Sequence, residues 1–114
     1  MSSYSNHQLT LRSYINVSSL MHTLKALKKV QYVEEYDITN TTSQTFPLKE
    51  ITMNHYRKRG VYSKPIVVTD DDYCLDGRHR IAFYKENNIS TLPAYVVPRS
   101  YVDKFIESLW FLFV

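Results

Sequence analysis

Leu75-Asp-Gly-Arg-His-Arg-Ile-Ala82 is the stretch on which the reading of this chain turns. It follows an extended, β-rich run, Pro65-Ile-Val-Val-Thr69 and then Tyr73-Cys-Leu75, and it opens a segment with helical spacing. A glycine at a strand-to-helix junction lets the backbone turn sharply and approach a ligand closely. The helix start beyond it offers unpaired N–H groups and the positive end of the helix dipole. Arg78, His79 and Arg80 add basic side chains in the first turn, and the arginine fork matches phosphate geometry. The dipole disfavours cations there unless an anion compensates. A bound anion is the economical explanation.

Outward from that box, the composition sets limits. At 114 residues the chain is expected to be one domain, 1–114, with a core that needs no staples. The net charge of +3 permits anionic ligands without demanding nucleic acid. A single cysteine, Cys74, leaves no partner for an intramolecular disulfide and suits a reducing compartment. The first residues lack a basic patch followed by an apolar run, and Leu109–Val114 is too short to span a bilayer. The expectation is a soluble, cytoplasmic protein with no membrane partner.

Leu9 and Leu11 alternate weakly, as in a short strand. Leu20, Leu24, Leu27 and Val30 share a face, with Ser18 and Ser19 as caps, which predicts a helix over about 19–34. Thr39–Gln44 reads as a polar loop. Phe46-Pro-Leu-Lys-Glu-Ile51 reads as a short edge strand because of Pro47, and His55–Gly60 as a basic loop or single helical turn. Ile66-Val-Val68 and Tyr73-Cys-Leu75 predict a hairpin about an Asp70-Asp-Asp72 turn. A helix over Arg78–Asn87 and a strand at Leu92–Val97 follow. Tyr101, Val102, Phe105, Ile106, Leu109, Trp110 and Phe113 predict an amphipathic helix over about 100–112. The fold class expected is α+β, a small mixed sheet with helices packed on it.

The order of elements from Phe46 to Val97, with Asp76-Gly-Arg-His-Arg80 between a hairpin and a helix, resembles the ParB/sulfiredoxin superfamily. The resemblance covers a core of about 46–97 and implies a compact ParB-like fold. It implies that the box binds nucleotide phosphates (ATP, ADP or CTP) at a helix N-terminus, through Gly77, Arg78, His79 and Arg80, with Mg²⁺ at Asp76. Sulfiredoxins carry their catalytic cysteine directly after the box glycine, where this chain has Arg78, so sulfiredoxin activity is rejected. Partition ParB proteins carry Gly-Glu-Arg-Arg and a helix-turn-helix domain downstream. The box is most similar to the Asp-Gly-His-His-Arg of ParB-like proteins that include free-serine kinases. In this chain an arginine replaces the first imidazole, a permanent cation for a titratable group.

The candidate catalytic residues are Asp76, His79 and Glu50. Asp76 serves equally as a Mg²⁺-linked carboxylate or as a helix cap. His79 serves as phosphate ligand, general acid/base or packed first-turn residue. Glu50 is a second carboxylate at the end of a strand, or simply exposed. Arg80 is the foremost phosphate ligand, Arg78 the next. Cys74 reads as a buried apolar residue, and Asp70–Asp72 as a turn rather than a metal site. The leading function is nucleotide binding, with hydrolysis or phosphoryl transfer. A non-enzymatic, phage-type protein acting on nucleic acid or a host protein, and a ParB-like nuclease, are the alternatives. The last helix packs in the core or forms a homodimer seam.

Overall fold

Ile66-Val-Val-Thr69 is buried at all four positions, and its neighbours explain why. The computed structural model describes residues 17–61 and 64–110. The elements run α1 (Val17–Ala26), β1 (Gln31–Asp37), α2 (Glu50–Arg59), β2 (Ile66–Thr69), β3 (Cys74–Asp76), α3 (Arg78–Glu86), β4 (Thr91–Val97) and α4 (Arg99–Trp110). The sheet order is β1-β4-β2-β3, with β2 parallel to β4 and the other pairs antiparallel. The expected α+β class with a small mixed sheet is the class observed.

Helices cover both faces of the sheet. Val67, Leu75 and Val97 pack with Leu20 and Leu24 of α1 and with Val102 and Ile106 of α4. Ile66, Val68, Cys74 and Ala94 pack on the other face with Ile81 of α3 and with Leu92. The continuous apolar run in β2 thus still alternates, feeding two cores, as a strand covered on both faces must. Cys74 is buried, as expected for a small apolar residue. Among the described residues no helix is long and apolar enough to cross a membrane.

The expected hairpin is present, and each aspartate of its turn makes its own contacts. Asp70 accepts the Arg99 N–H at 3.0 Å and so holds the start of α4. Asp71 accepts the Thr69 hydroxyl and pairs with Arg99 at 3.4 Å. Asp72 accepts the Tyr36 hydroxyl and takes the left-handed position (φ 66°) of a three-residue hairpin loop.

Three expectations need correcting. The helix expected over 19–34 stops at Ala26. Lys28 adopts φ 57°, Lys28 N–H donates to Lys25 O (3.0 Å) and Lys29 N–H to Leu24 O (2.9 Å). That pair of bonds is a Schellman ending, here without the usual glycine. Beyond it Gln31–Asp37 is a strand, because β4 offers it an edge to pair with. The strand expected at Phe46–Ile51 is instead irregular chain leading into α2, so Glu50 begins a helix rather than ending a strand. His55–Gly60 is the rest of that helix and its cap, a longer element than one turn. The strand read at Leu9 and Leu11, and the last helix beyond Trp110, lie outside the described residues.

Candidate functional site at the start of the third helix

β3 delivers Asp76 to the sheet edge, and Gly77 turns the chain directly into α3 with φ 117°. A Cβ at Gly77 would lie 2.4 Å from Ile66 Cγ2 and 3.2 Å from the outer guanidinium nitrogen of Arg80. The glycine is therefore required by inward packing on β2 as well as by its φ. No side chain caps α3. Asp76 is thus not the helix cap, and among the described residues no side chain accepts from the first N–H groups of α3.

The three basic residues of the box point to different tasks. Arg80 is only 9% exposed. Its guanidinium donates to the carbonyls of Lys64 (2.5 Å) and Pro65 (3.3 Å), and to Asp76 Oδ2 at 3.3 Å. It fastens the entry of β2 to the start of α3, so its donors serve the fold. Arg78 forks onto two successive carbonyls, Phe46 (2.7 Å) and Pro47 (3.3 Å). His79 Nε2 accepts the Lys49 N–H at 2.8 Å. Burial, then the Arg78 and Lys49 cations, hold the His79 pKa below its usual value, in keeping with a neutral ring that accepts at Nε2. Arg78 and His79 together hold the 46–49 segment across the first turn of α3.

That segment and the box enclose a cleft of about 510 Å³. Asp76, Gly77, Arg78, His79 and Arg80 all line it, so the box residues expected to act together do share one site. Glu50 does not line it: its carboxylate is 73% exposed and pairs with Arg57 at 2.9 Å. Sequence reasoning missed Lys49, Lys64 and Tyr56 in the lining of the cleft; the Tyr56 ring packs edge-on against Phe83 at 6.0 Å. The available signal was positional: Lys49 stands one residue before α2, and Lys64 just before the Pro65 that starts the β2 run. Gln44 also lines the cleft, and its Nε2 is buried without a hydrogen-bond partner.

No family profile matches the chain, and no curated protein matches it. A solved structure described as a Pnob8-like ParB-N domain is similar to it. The two share 14% identity and superpose with a TM-score of 0.43. The similarity covers 75% of this chain and 38% of that one.

Magnesium commonly takes one or two carboxylates plus phosphate oxygens. Asp76 fits that demand. Its side chain is 43% exposed, the residue lines the cleft, and among the described residues its one hydrogen bond, from Arg80, uses Oδ2 and leaves Oδ1 without a partner. No three His, Cys, Asp or Glu side chains among the described residues gather as a metal-binding group. A cation held by Asp76 would therefore draw its other oxygens from a bound phosphate chain and water.

Proposed function

We propose that the cleft at the start of α3 binds the phosphate chain of a nucleotide. The observation that carries this reading is the uncapped N-terminus of α3, opening on a 510 Å³ cleft that Lys49, Lys64 and Arg78 ring with positive charge. Helix N–H groups and nearby cations together make an anion site. The resemblance of the box to nucleotide-binding ParB-like sequences supports the same ligand. Lys49 and Lys64 supply the free ammonium groups, Arg78 adds charge while holding the wall, and Arg80 keeps the floor in place. Asp76 is the residue that would hold Mg²⁺, which supplies charge neutralisation along the phosphates.

Hydrolysis or transfer to an acceptor is within reach of this arrangement, with Asp76 as the carboxylate that lines the cleft among the described residues. The nuclease alternative has less support, since it needs a carboxylate–metal centre and Glu50 is turned toward Arg57. Calorimetric titration with ATP, ADP and CTP, each with and without Mg²⁺, tests the reading. Saturable binding that strengthens with phosphate number supports it, whereas no heat at millimolar nucleotide refutes it.

A further inference from the structure

A second feature is built from α1, β1, β4 and α4. On the sheet face covered by α1 and α4, lysines and tyrosines interleave. Lys25 Nζ sits 4.7 Å from the centre of the Tyr95 ring, and Tyr95 packs against Tyr32 with ring centres 5.6 Å apart. Lys29 and Lys104 flank Tyr101, at 5.3 Å and 5.2 Å from its ring centre. All three lysines are exposed, and Tyr32 is 53% exposed. None of the ion pairs among the described residues uses Lys25, Lys29 or Lys104.

We infer that this face binds single-stranded nucleic acid. A lysine resting on a tyrosine ring keeps its N–H donors for an anion, which a lysine paired with a carboxylate does not. Alternating cations and aromatic rings match a strand whose phosphates and unstacked bases both need partners. The dipole of α1 accounts for Lys25 and Lys29 near its C-terminus. It does not account for Lys104 on α4, nor for the half-exposed Tyr32 of β1 that packs on Tyr95 of β4. An acidic polypeptide would meet the lysines but leave the rings unused, and a duplex hides the faces of its bases. Lys25 and Tyr95 line a neighbouring pocket that shares Lys64 and Asp76 with the α3 cleft, whereas Lys29, Lys104, Tyr32 and Tyr101 line neither, so changes at these four test the surface independently of nucleotide binding.

The test is fluorescence anisotropy of the full chain with a labelled oligothymidylate, competed by a duplex of equal length and by polyglutamate. The expected result is salt-sensitive binding in which the single strand competes at least tenfold better than either rival. Tyr32→Leu, which keeps apolar bulk without a stacking ring, should weaken binding by about fivefold or more. The combined change Lys25→Ala, Lys29→Ala and Lys104→Ala should flatten the salt dependence. Absence of binding at low salt overturns the inference. So does equal competition by duplex or polyglutamate, which would make the surface a general polyanion or protein contact.

Discussion

His79 Nε2 accepts a hydrogen bond from the backbone N–H of Lys49, 2.8 Å away and thirty residues earlier in the chain. Through that bond the first turn of α3 holds the chain that enters α2. It exists only while the ring is neutral at Nε2, because an imidazolium has no acceptor.

A pH dependence follows with a definite sign. The His79 pKa is lowered in the folded state, so below about pH 6.5 the unfolded chain takes up a proton that the folded site resists. This contribution to stability is intact above that pH and is lost as pH falls toward the depressed folded value. Melting temperature recorded from about pH 7 to pH 5 should decline more steeply in wild type than in His79→Gln. Parallel curves would show that the bond carries no weight.

Arg80→Ala should destabilise the protein rather than act on binding alone. It removes charge-assisted bonds to Lys64 O, Pro65 O and Asp76 from a site only 9% exposed. The expected loss is roughly 1.5–3 kcal/mol, against about 0.5 kcal/mol for a solvated arginine. Urea denaturation decides between them, and an unchanged midpoint would return Arg80 to the role of a free phosphate ligand.

Lys49→Ala and Lys64→Ala should show the opposite pattern. Both residues are exposed and line the cleft, so stability should move by no more than about 0.5 kcal/mol. Nucleotide affinity should fall by about tenfold for each, the equivalent of roughly 1.4 kcal/mol. Titration of each variant with ATP measures this directly, and unchanged affinity in both would place the phosphates elsewhere.

Gly77→Ala should be among the most damaging single changes. The added methyl would meet Ile66 Cγ2 at 2.4 Å while the backbone sits at φ 117°. Overpacking and left-handed strain together are expected to cost roughly 2–6 kcal/mol. Circular dichroism melting of the variant should show an early transition or none, and a wild-type curve would mean that the strand-to-helix turn relaxes freely.

Ending the chain after Arg99 should leave it insoluble or without a cooperative transition. The truncation strips Val102 and Ile106, 0% and 3% exposed, from the core they share with α1 and the sheet. Each contributes on the order of 1.5–3 kcal/mol by burial. A soluble, cooperatively melting truncation would make α4 an accessory.

Local signals determined the second half of this fold. The hairpin announced itself through a short β-rich run on each side of Asp70–Asp72, and β4 through Leu92–Val97. The end of α3 was legible because Asn88 takes the left-handed position (φ 58°), with Ile89 N–H donating to Tyr84 O, and asparagine tolerates that conformation. The same backbone ending at Lys28 was invisible, since lysine carries no such signal. β1 was hidden for a related reason. Its side chains are mostly exposed and do not alternate, and it is a strand because β4 supplies hydrogen bonds from far along the chain. α2 is likewise decided by tertiary contacts, with Met53 buried and Arg57 bound to Glu86 of α3.

The candidate site divides in the same way. Sequence alone determined that Gly77 begins a helix and that the residues beside it are basic. It did not determine where the basic groups aim. Successive residues on a helix are turned by about 100° from one another, so Arg78, His79 and Arg80 cannot all face a single anion. The tertiary structure sent Arg80 inward to β2 and gave Arg78 and His79 to the 46–49 segment. It brought Lys49, at the entry to α2, and Lys64, ahead of β2, into the lining of the same cleft. Local propensity follows from each residue and its neighbours; the direction of a side chain is fixed only by what the rest of the chain packs against it.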